Sequence, residues 1–378
     1  MKIAVIAASQ VPSGTANSIQ VMKVCQSLAQ TGHQVCLWLP GSKSTPWPEL
    51  AEHYGLATPF EVRWLPAWRS LHRYDFAFFA LLRARAWGAR AVYTWVLQAA
   101  LLALWQGQPL LLELHDRPSG KVGPWLYRQV ARHKGKKRLL FITRALQRAL
   151  EREQGVTFDR STAVIAPDGV DLERYTGLPS PDAARRQLGL DQGLTAGYTG
   201  HLYPGRGVDQ LVALAKRFPQ VNFLWVGGRP ADVEYWRVQI NMLGLGNVRL
   251  TGFLPNQQIP LYQAAADILL MPYEEVITGS SGGNTAEVCS PMKMFEYMAA
   301  GRAILCSDLL VLREVLSEAN AVLCPPPPSG EAAWGAAFDR LISNDALRLR
   351  LGNQARRDVE QYAWTERAAR TLDVDWLG

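Results

Sequence analysis

The chain has 378 residues, of which 48% are hydrophobic and 19% charged. This length predicts two domains with substantial cores, and the composition excludes a disordered chain and a small disulfide-stabilised scaffold. The net charge of +7 comes from residues 1–175, which carry 22 Lys and Arg against 12 Asp and Glu, so this half is expected to meet an acidic partner: a phosphate, an anionic lipid surface or nucleic acid.

The first residues predict a β-loop-α-β unit. An apolar strand at residues 2–7 precedes a polar loop, a helix that ends at Gly32 and a second strand at residues 34–39. We interpret the N-terminus as this strand and not as a signal peptide, because polar residues follow it directly. The apolar run at residues 92–105 is too short for the roughly 20 residues of a membrane span, and it predicts a buried helix.

The same alternation restarts after a Pro- and Gly-containing passage at residues 171–193. It predicts strands at residues 194–199, 222–228, 247–252, 267–272 and 303–307, alternating with helices at residues 208–218, 232–242, 259–266, 291–300 and 309–317. Such alternation indicates parallel, doubly wound sheets with helices on both faces. We therefore predict an α/β fold with two Rossmann-like domains, residues 1–175 and residues 176–355, whose sheets face a cleft.

The five cysteines indicate neither a disulfide framework nor a zinc site. They are odd in number, widely spaced and never in a CxxC pair: Cys25, Cys36, Cys289, Cys306 and Cys324. This pattern fits a reducing compartment, so we expect a cytoplasmic protein without a metal cluster.

The loop at residues 200–207 is a candidate phosphate site. It lies between a predicted strand and a predicted helix and contains three glycines, His201 and Arg206. Close backbone approach and a fixed guanidinium charge suit a diphosphate, although an ordinary strand–helix turn explains the pattern equally well. Neither GxGxxG nor GxxxxGK[ST] occurs, which disfavours a dehydrogenase or a P-loop kinase.

A second candidate lies where a helix starts near residue 291. Ser290 is predicted as the cap and Pro291 in the first turn, where free amides attract an anion and Lys293 adds a charge. Glu296 follows about a turn further on and can accept hydrogen bonds from a ribose diol. Together the two segments predict a nucleotide-diphosphate site.

The sequence as a whole resembles the GT-B glycosyltransferases of family 4, the group 1 glycosyl transferases. The segments that carry the resemblance are PSGTANSIQVMKVCQSLAQTGHQV, LLLELHD, APDGVDLERY, YTGHLYPGRGVDQL, LTGFLP and SPMKMFEYMAAGRAILCSDLLVLREVL. The resemblance implies retaining transfer of a sugar from a nucleoside diphosphate sugar to a hydroxyl acceptor, which is a glycan, a glycolipid or a small molecule. It implies no cofactor and no metal, and a C-terminal helix at residues 356–378 that crosses back to the N-terminal domain.

The resemblance also implies roles for single residues. Arg206 would clamp the donor diphosphate, Glu296 would be the second acid of the E-x7-E motif and bond the ribose, and His115 would touch the donor sugar or the acceptor. Further donor-binding positions implied by the resemblance are Gly14, Gly200, His201, Thr251, Gly252, Phe253, Ser290, Pro291, Met292 and Lys293.

Three positions depart from the family pattern. The first acid of E-x7-E falls at Val288, with Glu287 one position away, so the carboxylate contact to the donor sugar is open. His201 stands where many members have a basic Arg, which implies a weaker and pH-sensitive diphosphate contact. Asp168 replaces a more usual Asn, which we interpret as a variation at a turn or domain junction.

The basic run at residues 128–138 follows Trp125, Leu126 and Tyr127 and leaves two interpretations open. It is either a solvated helix and turn or a surface that contacts the inner face of an anionic membrane, which would suit a lipid-linked acceptor.

Two other functions stay open as alternatives to the transferase: a nucleotide-sugar epimerase or hydrolase of the same fold, and a non-catalytic protein that binds through its basic surface. Nucleic acid is not expected as a partner.

Overall fold

The computed structural model describes residues 1–68, 71, 73–277, 284–372 and 376. The chain divides into two compact units, one formed by Met1–Asp168 with Trp364–Gly378 and the other by Gly169–Ala363. Compared with the predicted domain limits, residues 169–175 and residues 356–363 thus fall in the second unit. Of the predicted C-terminal segment, residues 373–375 and 377–378 lie outside the described residues.

The first unit contains a parallel sheet of seven strands in the order β3-β2-β1-β4-β5-β6-β7. The strands are β1 Lys2–Ile6, β2 Gln34–Pro40, β3 Glu61–Leu65, β4 Ala91–Thr94, β5 Leu110–Leu114, β6 Lys137–Phe141 and β7 Ala163–Ile165. The helices are α1 Ala16–Gln30, α2 Trp47–Tyr54, α3 Tyr74–Trp87, α4 Leu97–Trp105, α5 Gly123–Arg132 and α6 Arg144–Gln154, joined by α14 Trp364–Thr371 from the C-terminal part of the chain. Helix α14 packs on α1.

The second unit contains a parallel sheet of six strands in the order β10-β9-β8-β11-β12-β13. The strands are β8 Thr195–Thr199, β9 Asn222–Val226, β10 Val248–Leu250, β11 Ile268–Met271, β12 Ala303–Ser307 and β13 Val322–Cys324. The helices are α7 Pro181–Leu188, α8 Val208–Arg217, α9 Pro230–Met242, α10 Ile259–Ala264, α11 Met292–Ala300, α12 Glu331–Ile342 and α13 Asp345–Asp358.

The central strands β5 and β8 are buried along their whole length because helices cover both faces of each sheet. In the first unit, residues 3–6 of β1 are fully buried. In the second unit, Trp225, Trp334 and Phe338 lie in one hydrophobic cluster that joins the sheet to α12. The predicted α/β fold with two doubly wound, parallel-sheet units is confirmed. Among the described residues, no helix combines the length and the hydropathy needed to cross a membrane.

Two predicted helices differ in the structure. The run at residues 92–105 is divided into β4 and α4, because Val92, Tyr93 and Thr94 favour a strand, which pairs with β1. The helix predicted at residues 309–317 is reduced to the short 3-10 turn Leu312–Glu314. Single turns of hydrogen bonds form there, such as Leu316 N–H to the Leu312 carbonyl, but a turn in which Asn320 accepts from the Ser317 amide ends the segment, and Arg313 pairs with Asp308.

Candidate functional site

The loops after β8, β9 and β11 leave the second sheet at its carboxyl edge. In a parallel sheet these ends lie together, which is where ligands of such folds bind. Glycines allow the loops to approach each other closely: a Cβ at Gly227 would lie 2.6 Å from the carbonyl oxygen of Gly200, and a Cβ at Gly200 would lie 2.6 Å from Lys293 Nζ. The predicted loop at residues 200–207 and the start of α11 therefore do come together.

Three basic side chains meet tyrosine rings at this edge. The Arg206 guanidinium lies 4.9 Å from the centre of the Tyr203 ring and 5.0 Å from that of Tyr273. Arg229, on the loop that follows β9, lies 5.2 Å from the centre of the Tyr203 ring. Aromatic faces stabilise cations without neutralising them, so the positive charge stays available to an anion.

Lys293 is the most deeply placed of these cations. Its Nζ lies 4.0 Å from the centre of the Tyr198 ring and 5.3 Å from that of Tyr273, and it has no hydrogen-bond partner among the described residues. Burial lowers the pKa of Lys293 well below its ordinary value and Arg206 lowers it further, against the opposing effect of Glu296. A buried ammonium without a counterion is costly, and an arriving diphosphate would supply one.

His201 lies in the same group, with its ring stacked on Tyr203 at a centroid distance of 5.3 Å. Burial lowers the pKa of His201 to about 4, and Arg206 and Lys293 add to the shift. Its imidazole is therefore neutral at pH 7 when no ligand is bound. Many family members have a second basic Arg at this position, which this chain lacks; Arg229 on the next loop lies against the same Tyr203 ring.

The Glu296 side chain is held in place by a residue of helix α10. Gln263 donates a hydrogen bond to its Oε2 at 3.2 Å, while Tyr175 donates to the other end of the Gln263 amide at 2.9 Å. The neighbouring Tyr297 hydroxyl accepts from the Thr199 amide at 2.8 Å. This arrangement fixes the Glu296 carboxylate one turn inside α11, as its predicted role with a ribose diol requires.

The start of α11 differs in detail from the prediction. Helix α11 begins at Met292, and Pro291 occupies the cap position in an extended conformation, so Ser290 lies one residue before the cap. Pro291 lacks an amide hydrogen, so the free amides at this helix end start at Met292. Val288 is buried and Glu287 is exposed, and within the segment at residues 273–289 residues 278–283 lie outside the described residues.

The turn at residues 251–253, which the resemblance implies to be part of the donor site, lies beside the same loops. Gly252 forms a bridge with Gly227, whose amide donates to the Gly252 carbonyl at 2.9 Å, and the Thr251 amide donates to Trp225. The Phe253 side chain is exposed. Thr251, Gly252 and Phe253 are thus placed next to the Gly200 loop.

A second polar cluster lies in the first unit, at the carboxyl end of β5. Glu113 is completely buried, and its Oε1 lies 2.7 Å from His115 Nε2 and 2.7 Å from an Arg367 nitrogen. Gln20 also donates to Oε1, and Tyr93 donates to Oε2. His115 keeps 29% of its side chain exposed, so it is the member of this cluster that a ligand can reach.

Charges within the cluster set its ionisation. Burial opposes ionisation of Glu113, but Arg367 and the hydrogen bonds from His115 and Tyr93 outweigh it and hold its pKa at about 2. Burial lowers the pKa of His115, but the hydrogen bond to Glu113 and the negative charge of that carboxylate raise it by more, so the pKa lies above its ordinary value. Burial raises the pKa of Asp168 to about 6 against the charges of His115 and Arg367. The departure at Asp168 therefore places a titratable acid beside His115, where we had interpreted it as a turn variation.

Glu113, His115 and Asp168 place potential metal ligands within 4.8 Å of one another. Protein donors already bond both oxygens of Glu113, and the Arg367 guanidinium adds a positive charge beside them. These three residues are consequently better suited to exchange hydrogen bonds and protons than to bind a metal cation.

The predicted donor-binding residue Gly14 lies elsewhere in this unit, in the loop between β1 and α1, one residue before the Thr15 cap.

Several residues of these clusters were not predicted. Arg229 follows a strand end, so the rule that parallel strands end at one edge could have found it. Glu113 lies on β5 two residues before His115, which follows the strand end, and a continued strand would put both side chains on one face. Nothing local indicates Gln263, Tyr273 or Arg367, which reach the clusters from distant parts of the sequence.

The fold and the basic loops define a class of enzyme: a GT-B glycosyltransferase. The model described as glycosyl transferases group 1 matches residues 181–358, and the model described as Glycosyltransferase Family 4 matches residues 18–174. Because the two models together cover most of the sequence, the chain belongs to glycosyltransferase family 4, as its motifs predicted.

Relatives and solved structures agree with this assignment. A phosphatidyl-myo-inositol mannosyltransferase of Mycolicibacterium smegmatis is 25% identical over 96% of this chain and 90% of its own length. A 2-deoxystreptamine glucosyltransferase of Streptomyces kanamyceticus is 32% identical over 37% of this chain and 41% of its own. The structure of HepE from Anabaena in complex with UDP and glucose has the same fold, with a TM-score of 0.74 and 20% identity over 99% of this chain and 100% of that one.

Proposed function

We propose that this glycosyltransferase moves a sugar from a nucleoside diphosphate sugar to a hydroxyl acceptor with retention of configuration. The observation that carries the donor site is the buried Lys293 Nζ, which shares the Tyr273 ring with Arg206 and lacks a hydrogen-bond partner among the described residues. An anion with two phosphates would satisfy several of these groups at once. The family resemblance supports retention.

The chemistry assigned to these residues is electrostatic. When the bond between the sugar and the diphosphate breaks, negative charge grows on the departing phosphate oxygen. Arg206, Lys293 and the amides that start α11 stabilise that charge without having to rearrange, which is how preorganised sites lower a barrier. Because these cations can do the work of a metal, we propose a metal-independent reaction.

For the first unit we propose that His115 contacts the donor sugar or the acceptor hydroxyl. Its exposed imidazole can exchange hydrogen bonds with a hydroxyl group, and Glu113 keeps it oriented. The relative that matches most of this chain is named a phosphatidyl-myo-inositol mannosyltransferase, which supports a lipid-linked acceptor. The family match favours this transfer over the epimerase, the hydrolase and the non-catalytic alternative.

We also propose contact with the surface of an anionic membrane, through α3 and not through the basic run at residues 128–138. In that run Arg138 is buried and donates to the Thr371 carbonyl, and Lys137 donates to the His133 carbonyl. Helix α3 instead exposes apolar side chains, including Phe78 and Leu82, next to exposed arginines.

A thermal-shift panel tests the donor site. UDP, GDP, ADP and their common sugars are compared on the wild type and on Lys293→Met and Glu296→Ala, with and without EDTA. A ligand at about 100 times its dissociation constant adds ~2.7 kcal/mol to the stability of the folded state, which raises the melting temperature by several degrees. We expect one nucleotide class to shift the wild type, EDTA to leave that shift unchanged, and both variants to lose most of it.

Arg313→Met is the matched control, since it removes a positive charge from the same unit at an exposed ion pair with Asp308. It should keep the nucleotide shift. A shift that survives in Lys293→Met, or no shift with any nucleotide, would contradict the proposed donor site.

A further inference from the structure

Arg367, on the C-terminal helix α14, uses every nitrogen of its guanidinium within the first unit. Nε donates to the Pro167 carbonyl at 2.8 Å, and one terminal nitrogen donates to the Ala166 carbonyl at 3.1 Å and pairs with Glu113. The other donates to the Tyr93 hydroxyl at 3.2 Å. A buried guanidinium with this many partners has one defined position.

Glu113 connects this guanidinium to His115. Its Oε1 accepts from both, and because a carboxylate of low pKa carries no proton, the hydrogen on His115 must lie on Nε2. The opposite nitrogen, Nδ1, makes no hydrogen bond among the described residues and lies on the partly exposed imidazole. The ring thus presents an acceptor nitrogen when it is neutral and a donor when it is charged.

We infer that Arg367 is a positioning residue of the transferase: it holds Glu113, and Glu113 in turn orients His115 so that Nδ1 is presented to substrate. The inference rests on the proposed role of His115. It gives the last helix of the chain a part in the reaction as well as in packing. A fixed tautomer and orientation matter because an acid or base acts only within hydrogen-bond reach of its proton.

The charges around His115 give the inference a spectroscopic consequence. The ionisable groups that act on it are Glu113 near the end of β5, Asp168 after β7 and Arg367 on α14. Replacing Arg367 removes the strongest counter-charge of Glu113. Gln20 and Tyr93 still bond Glu113, but without the guanidinium the carboxylate is held less firmly and its pKa rises, so we expect the neutral His115 to become a mixture of both tautomers.

The test compares Arg367→Gln, Arg367→Lys and Glu113→Gln with the wild type. The assay uses the nucleotide sugar that gives the largest thermal shift, and 15N spectra of histidine-labelled protein report the His115 tautomer, assigned with His115→Ala. We expect Arg367→Gln to lower kcat about 10- to 100-fold, within what a positioned acid or base contributes, with little change in KM for the donor. Arg367→Lys keeps the positive charge but loses the planar set of donors of the guanidinium, so its kcat should lie between those of Arg367→Gln and the wild type.

The control is Arg138→Gln, which removes a different buried hydrogen bond to α14, from Arg138 to the Thr371 carbonyl, and does not involve Glu113. It should lower stability and leave kcat and the His115 tautomer unchanged. If Arg367→Gln does not fold, Arg367→Lys and Glu113→Gln carry the test, and Glu113→Gln should shift the tautomer because an amide can donate to Nε2.

An unchanged tautomer in Arg367→Gln and Arg367→Lys, or a fall in kcat equal to that of Arg138→Gln, would overturn the inference. Failure of the proposed function has a different signature. In that case His115→Ala would turn over as fast as the wild type, whatever the tautomer spectra of the Arg367 variants show.

Discussion

At the scale of single residues, His201 shows how a neighbourhood changes the chemistry of a side chain. Burial and the charges of Arg206, Lys293 and Arg229 hold its pKa at about 4, with Asp232 opposing them. The ring is neutral at pH 7 in the free protein. A bound diphosphate offsets those positive charges and can accept a bond from a protonated imidazole, so binding must raise the pKa of His201.

This linkage predicts that the affinity for a nucleotide sugar rises as the pH falls from 7.5 to 5.5. Protonation is favoured more in the complex than in the free protein, so lower pH shifts the equilibrium toward the complex, by at most about tenfold per pH unit. Calorimetric titrations at three pH values measure the slope, and the diester diphosphate of a nucleotide sugar does not itself titrate in this range.

His201→Gln provides the comparison, since it removes the titrating group and should bind with little pH dependence. His201→Arg should bind more tightly at pH 7.5 and also lose the slope. Equal slopes in the wild type and His201→Gln would show that another group is responsible.

At the scale of elements, the loop from β8 to α8 depends on glycines that fit against the next strand. Gly207, the cap of α8, has a φ of +68° and a Cβ there would lie 1.6 Å from the Pro272 carbonyl oxygen. This close approach holds the loop against the end of β11, and the Gly207 amide also donates a hydrogen bond to Glu274 Oε1 at 3.2 Å. The backbone that carries Arg206 is therefore fixed by packing of main chain on main chain.

We expect Gly207→Ala to destabilise the second unit far more than Gly189→Ala. Both glycines have a positive φ, but a Cβ at Gly189 would meet nothing within 4 Å. The left-handed conformation alone costs about 1 kcal/mol for alanine, and the collision at Gly207 adds about 1 to 3 kcal/mol. Thermal unfolding of both variants measures the difference; equal melting temperatures would mean that the loop can move away from Pro272.

The alternation of strands and helices was predictable because buried parallel strands leave an apolar signal that depends on local sequence alone. The local sequence predicted the wrong element where contacts with other parts of the fold determine it. Val92 to Thr94 pair with β1, and the segment around Arg313 forms an ion-paired turn. The same reason explains the site. Loop glycines and Lys293 are visible in the sequence, whereas Arg367 reaches Glu113 across 254 positions and only the fold brings them together.

At the scale of the whole molecule, the proposed membrane contact concerns helix α3 in the positively charged segment at residues 1–175. Helix α3 buries Phe76, Ala80 and Ala84 on one face, and the opposite face exposes Phe78 and Leu82 by about half. On this helix or within three residues of its ends, four arginines are exposed and pair with no acid among the described residues: Arg73, Arg83, Arg85 and Arg90. Exposed aromatic and aliphatic side chains with unpaired cations are typical of helices that lie in a lipid interface.

We therefore expect the full chain to bind vesicles that contain phosphatidylglycerol more tightly than vesicles of phosphatidylcholine, and to bind less well as salt rises. Each basic residue near an anionic surface contributes about 1 kcal/mol, and insertion of two half-exposed aromatic or aliphatic side chains about 2 kcal/mol. Replacing both Phe78 and Leu82 by Ser should then weaken binding tenfold or more in a co-sedimentation assay. Tyr235 and Met242 on α9 are as exposed, and replacing both by Ser should leave binding unchanged. If the two double variants lose affinity equally, or if neither does, α3 is not the membrane-binding surface.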